Sequence, residues 1–200
     1  VLFAAYTVLL AKYCSQEDLV VGIPVSGRTH SDVNKLIGMF VNTLAIRTFP
    51  ESEKTFVSYL SDVSNTLVQA YDHQSYPFER LVDKTGVRRD LARNPLFDTV
   101  FILQNTDLYT MQIEDVTYTP YAIDPHTAKF DLTLEVFERM DEMEIRAEYC
   151  TDIFEENTVQ KMLSHYLNVL SSICNFPDQQ IASISLLSAL ERHELLHTFN

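Results

Sequence analysis

Leu2, Phe3, Tyr6, Leu9, Leu10 and Tyr13 recur at helical spacing, which predicts a well-buried helix over residues 1–13. A polar turn at 16–18 leads into Leu19–Val25, an uninterrupted apolar run of strand length that suits a central strand covered on both faces. Ser26-Gly27-Arg28 ends the run, and residues 29–36 read as a polar loop or short helix. Residues 39–49 are again apolar and β-branched, so a buried strand is predicted there. Strand alternation puts Phe40, Asn42, Leu44 and Ile46 on one face and Met39, Val41, Thr43, Ala45 and Arg47 on the other.

Phe56, Leu60, Val63, Leu67 and Ala70 give an amphipathic helix that stops before Tyr76-Pro77, because a residue preceding proline is pushed out of helical geometry. Residues 78–83 form a short helix with Phe78, Leu81 and Val82 inward, and Tyr76 and Phe78 are expected as core aromatics. A loop at 85–95 precedes a second buried strand at 96–103. Residues 104–129 form a long excursion of mixed polarity with one strand at 116–121. Strict alternation at 130–137 and 143–149 predicts an antiparallel hairpin joined around 140–142. Val159, Met162, Leu163, Tyr166, Leu167, Leu170 and Ile173 mark another amphipathic helix, and Ser188-x-x-Glu191 is a capping box for a terminal helix running to about 199. The order is mixed α and β, without repeats.

Composition narrows the function classes. Two hundred residues make one domain or a large subdomain, and 46% hydrophobic residues with four glycines make it ordered. A net charge of -13 argues against nucleic acid and against an anionic membrane surface. Lys84, Arg88, Arg89 and Arg93 gather the positive charge, either toward a phosphate or acidic partner or in a solvated loop. Cys14, Cys150 and Cys174 are odd in number and widely spaced, which fits plain buried thiols in a reducing cytoplasm. No signal peptide or membrane-spanning run is present, and Val1 already lies inside a helical pattern, so the chain reads as cut from something larger.

The candidate chemistry is sparse. There is no Gly-x-Ser-x-Gly elbow, glycine-rich phosphate loop, HExxH or CxxC pair. The six histidines lack ligand spacing; His193 and His197 share a helix face, but no further metal ligand accompanies them. No metal site and no catalytic constellation is expected. The polar misfits are Asn42 and Arg47, one on each face of the strand at 39–49. A buried amide or guanidinium is costly unless bonded. They are therefore a satisfied core asparagine and a snorkelling arginine, or groups that meet a ligand or another domain.

Four strings in order, IGMFVNTLAIR at 37–47, HQSYPFERLV at 73–82, RRDLARNPLFDTVF at 88–101 and FDLTLEV at 130–136, resemble the later motifs of condensation domains of nonribosomal peptide synthetases. Residues 1–28 resemble the helix and strand that precede those motifs, and the closing ISLLSALERHELLHTFN resembles the segment leading to an adenylation domain. The resemblance implies an α/β fold, an α+β sandwich that is one lobe of the chloramphenicol acetyltransferase type, with a mixed sheet packed with helices. Residues 1–182 would be the C-terminal lobe, and 183–200 the terminal helix and linker. The implied reaction joins an acyl or peptidyl donor to an aminoacyl acceptor, both carried as thioesters on phosphopantetheine arms that enter a tunnel between two lobes. The implied partners are the N-terminal lobe, the upstream and downstream peptidyl carrier domains and a following adenylation domain. No cofactor is expected on the lobe itself.

The family's His-His-xxx-Asp-Gly motif does not occur here, so the catalytic histidine is expected on the other lobe and this chain alone is expected to be inactive. Arg47 matches the arginine that pairs with the motif aspartate across the lobe interface, with a local ion pair as the competing reading. Asn42, Arg93 and Asn94 match polar positions near the tunnel or lobe interface; for Asn94, a turn asparagine ahead of proline is the alternative. Residues 28–36 and 106–129 suit the floor crossover and the latch that reach toward the other lobe. An exposed interface face is expected to promote self-association. An epimerization domain and an inactive docking domain of the same fold remain as other readings.

Overall fold

In the computed structural model the elements run α1 (Leu2–Cys14), β1 (Leu19–Val25), β2 (Asn42–Thr48), α2 (Phe56–Asp72), α3 (Phe78–Thr85), β3 (Thr99–Gln104) and β4 (Met111–Ile113). They continue with β5 (Val116–Tyr118), β6 (Leu132–Glu138), β7 (Met143–Tyr149), α4 (Glu156–Asn175) and α5 (Ala189–His193). The structure describes the chain except residues 88–89, 91–92, 105–110, 114, 120, 122–125, 140–141 and 199–200.

β1 is an interior strand of a five-stranded sheet with the order β2-β1-β3-β6-β7, in which β3 is central. It is antiparallel to β2 and parallel to β3; β3 is parallel to β6, and β6 and β7 close as the antiparallel hairpin that alternation predicts. Parallel neighbours need long crossovers. From β1 to β3 the chain passes through β2, α2 and α3, and from β3 to β6 it passes through the small β4–β5 ladder.

One sheet face carries Val21, Ile23, Leu44, Ile46, Phe101, Leu134 and Val136 into a core shared with α1, α2 and α4. α1 is buried from Phe3 to Ala11, nearly all round its axis, which makes it the central helix of the layer. Its tyrosine neighbours each find a hydrogen-bond partner. The Thr99 hydroxyl donates to the Leu132 carbonyl at 2.8 Å, so the Tyr6 hydroxyl, 2.5 Å away, donates to Thr99. By the same logic Thr7 donates to the Ala4 carbonyl and receives from Tyr59 at 2.6 Å, while Tyr166 donates to the Leu2 carbonyl. Each such bond contributes about 1 kcal/mol net, and a partner left alone costs more.

The other face has a smaller cluster around α3. A Cβ on Gly22 would lie 2.4 Å from the Phe97 ring, which packs on Phe78 and Phe130 at centroid distances of 5.6 and 5.8 Å. Val82, Phe97 and Val100 are buried there. β1 is thus covered on both sides.

Several expectations are corrected. The strand expected at 39–49 begins at Asn42 and ends at Thr48; the apolar residues before it lie on an exposed loop, where Ile37 is 104% and Met39 94% exposed. That loop is pinned at Gly27, whose φ of 65° suits glycine and where a Cβ would meet the Phe40 carbonyl. Arg28 spans it, stacking 4.4 Å from the Phe40 ring and donating to the carbonyls of Val33 and Gly38. The strand expected at 96–103 starts only at Thr99, because residues 94–97 turn. Tyr76 is exposed rather than a core aromatic, since Pro77 caps α3 and turns the chain at the surface. Cys14 and Cys174 are exposed and Cys150 is half-buried, so the thiols are not core groups. Within 104–129 there are two paired strands, not one. Arg88 and Arg89 of the basic cluster and the join at 140–141 lie outside the described residues.

The segment after α4 stays packed on the body of the chain. Ile181 and Ile184 are each 2% exposed, the Ile181 amide donates to the Lys54 carbonyl, and Asn168 donates to the Leu186 carbonyl.

Candidate functional site

Antiparallel pairing sets Arg47, near the end of β2, beside Val20 of β1. The side chain points away from the helix layer and reaches Asp18, the residue just before β1. Nε and Nη2 donate to the two carboxylate oxygens at 2.8 and 2.7 Å, a fork-to-fork pair. The bonds from Arg47 hold the Asp18 carboxyl below its ordinary range. Both partners are exposed, so Arg47 is not the buried misfit that strand alternation suggested.

A second pair repeats this arrangement one strand over. Arg93 donates to Asp98 at 3.3 Å through Nε and 2.5 Å through Nη2, and Asp98 immediately precedes β3. Asp131 immediately precedes β6; its amide donates to the Asp98 carbonyl at 3.0 Å, and its own carbonyl accepts from the Cys150 amide. Three parallel strands therefore each begin after an aspartate, and two of the three aspartates hold an arginine. A groove of about 510 Å³ runs along this edge over Leu10, Leu19, Val21, Phe97 and Leu132, with Asp18, Asp98 and Asp131 also on its wall.

Asn94 belongs to the same edge. Its Oδ1 accepts from the amides of Leu96 and Phe97 at 3.1 and 3.4 Å, an Asx turn that delivers the Phe97 ring onto Gly22. Asn42 lies at the far end of β2, opposite Val25. Its amide donates to the carbonyls of Gln74 and Tyr76 at 2.8 and 2.9 Å, tying the α2–α3 connection to the sheet. Arg47, Arg93 and Asn94 thus gather at one end of the sheet, and Asn42 does not join them.

On β6 and β7 the helix-free face is polar. Glu144 accepts from Arg139 and Arg146 at 2.7 and 2.6 Å, and those bonds lower its carboxyl. Glu135 stands opposite Arg146; burial and the Glu148 charge raise its carboxyl despite that arginine. His126, Glu135, Arg146 and Glu148 share a depression of about 580 Å³.

None of these arrangements pairs a nucleophile with a base. Among the described residues no three His, Cys, Asp or Glu side chains are placed to hold a metal ion, and no helix is long and apolar enough to cross a membrane. His193 and His197 do share a face, with ring centroids 4.6 Å apart. Reading the sequence alone misses Asp18 and Asp98, whose roles appear only once strand register is known. It also misses His165, an unremarkable polar position of α4 that is 8% exposed and bonded at both ring nitrogens.

Comparison with known proteins agrees with this architecture. The family model for the condensation domain matches residues 1–196. Gramicidin S synthase 2 of Brevibacillus brevis is 48% identical over 200 residues, covering all of this chain and 4% of the synthase. Tyrocidine synthase 2 of Brevibacillus parabrevis is 46% identical over 202 residues, covering all of this chain and 6% of that protein. The chain therefore spans a small fraction of the curated relatives it matches. Among solved structures, a four-domain nonribosomal peptide synthetase bound to AMP and glycine superposes with a TM-score of 0.87 at 24% identity, covering 96% of this chain and 16% of that one. The X-domain from teicoplanin biosynthesis, in complex with OxyB, gives 0.82 at 22% identity, covering 94% of this chain and 42% of that one. The open mixed sheet with its helix layer is the expected chloramphenicol acetyltransferase-like α/β architecture. The chain belongs to the condensation domain family.

Proposed function

We propose that this chain is the C-terminal lobe of a condensation domain that forms a peptide bond between a carrier-bound acyl or peptidyl thioester and a carrier-bound aminoacyl acceptor. The observation that carries this reading is the 48% identity to gramicidin S synthase 2 through the whole 200 residues. The reaction breaks the donor's C–S bond and forms a C–N bond; the donor carrier leaves as a thiol and the amine loses a proton. The base for that proton is expected on a partner lobe that carries the family's His-His-xxx-Asp-Gly motif, which this sequence lacks. The role of this chain is to form tunnel wall and carrier surface. Arg47 and Arg93, exposed and held by Asp18 and Asp98 at the edge where the parallel strands begin, are the side chains best placed to meet the N-terminal lobe, and Asn94 shapes the turn between them and the core.

Phosphopantetheine arrives on upstream and downstream peptidyl carrier domains and is not bound as a resident cofactor. An adenylation domain is the partner expected beyond the terminal helix, and the cytoplasm is the expected site of action. A docking role without catalysis is the second reading, favoured by the likeness to an X-domain solved with OxyB.

A replacement experiment separates them. This chain is exchanged for the matched stretch of gramicidin S synthase 2, and dipeptidyl thioester on the acceptor carrier is followed by mass spectrometry. Retained product supports the condensation role. A folded hybrid whose carriers load but which makes no product overturns it in favour of docking.

A further inference from the structure

His165 has no part in the proposed reaction, yet it is one of the few buried polar side chains. It stands where three elements distant in sequence meet. The Tyr13 hydroxyl at the end of α1 lies 2.6 Å from Nδ1, and Glu191 Oε1 of α5 lies 3.1 Å from Nε2. The other Glu191 oxygen accepts from the Ser188 amide and hydroxyl at 2.8 and 2.7 Å, completing the capping box. These bonds hold the Glu191 carboxyl down to about 2, so it is an acceptor only. Nε2 therefore carries a hydrogen and donates it to Glu191, and in the neutral ring Nδ1 accepts from Tyr13.

The joint matters because of what α5 lacks. None of its residues is buried, so no apolar anchor fixes it. Up to residue 186 the segment is held otherwise, by Ile181, Ile184 and the Asn168 bond to the Leu186 carbonyl. Tyr13 also lines the groove at the strand edge, which links the joint to that surface.

We propose that Tyr13, His165 and Glu191 form a clasp that keeps the strap of residues 188–198 closed on the lobe. Its opening releases the strap and the Tyr13 side chain while residues 1–186 stay folded. The clasp is a local equilibrium of low stability beside a stable core, and its existence does not depend on the catalytic reading.

The test is hydrogen exchange on the whole 200-residue chain, comparing His165→Leu, Glu191→Ala and the double variant with the unsubstituted protein. Each single change should speed exchange of the strap amides about tenfold or more, as expected for losing a bond to a charged group. α1 and β1 should be unaffected. The double variant should be no faster than the faster single one, since both remove one contact. Unchanged strap exchange in Glu191→Ala, or effects that multiply fully in the double variant, would overturn the clasp. If His165→Leu does not fold, Ser188→Ala is the comparison. It breaks the capping box alone, so Glu191→Ala must exchange faster than Ser188→Ala; equal rates overturn the proposal.

Discussion

At the scale of single residues, the pairing of Arg47 with Asp18 gives two different expectations for one substitution. In this chain the pair is exposed, and solvent screening leaves exposed ion pairs little net effect on stability. Arg47→Ala should therefore barely move the denaturation midpoint of the 200-residue chain. In a whole condensation domain the same change should lower peptide formation at least severalfold if Arg47 meets the other lobe. A large loss of stability in the isolated chain, or unchanged condensation in the whole domain, would show that its role lies elsewhere. Glu191 gives a pH expectation. Its folded carboxyl value, about 2, lies below the ordinary 4.5, held there first by the Ser188 hydroxyl and amide and then by His165. A depressed carboxyl stabilises the fold fully above the unfolded value and loses that contribution as pH falls from 4.5 toward 2. An NMR titration of the Glu191 carboxyl should show this low midpoint, rising in Ser188→Ala. A midpoint near 4.5 in the unsubstituted protein would contradict it.

These partners explain what was legible in single residues. That Asn42 and Arg47 needed partners follows from their place in an apolar stretch, but which partners they take depends on register. Gln74 and Tyr76 reach Asn42 only because α2 folds back over β2, and Asp18 reaches Arg47 only because β1 and β2 are antiparallel.

Among elements, periodicity alone located α1, β1, α2, α4 and the β6–β7 hairpin, because each buries a continuous face in the same core. It failed at 39–41, where apolar residues are not buried in this chain and hydrophobicity no longer reports a strand. It failed again at 96–98, where the Asn94 side chain captures two amides and delays β3. The product of that turn is the seat of Phe97 on Gly22, and it sets a sharp test. Gly22→Ala forces a methyl into the ring and should cost about 1–3 kcal/mol as overpacking. Phe97→Leu in the same chain should recover part of that loss. A Gly22→Ala protein as stable as the parent, or a pair with no recovery, would contradict the packing described.

The whole molecule combines a well-filled core with a surface that keeps apolar groups outward. Ile37, Met39 and Val41 crown the loop spanned by Arg28, and Val116, Tyr118 and Tyr121 are exposed on the excursion between β3 and β6. Val116, Tyr118 and Tyr121 fall within the 106–129 segment expected as the latch, whereas Ile37, Met39 and Val41 lie just beyond the 28–36 segment expected as the floor crossover. The fold could be read from the sequence because four motif strings and five apolar periodicities agree. Contacts within the chain do not reveal a reaction, because among the described residues they are ion pairs, capping bonds and packing.

The most direct measurement is single-turnover peptide formation from loaded donor and acceptor carriers, run in parallel with a whole condensation domain containing this chain and with the 200-residue chain alone. Dipeptidyl thioester is expected from the whole domain and none from the chain. Product from the chain alone, or none from a folded whole domain, would contradict the proposed role.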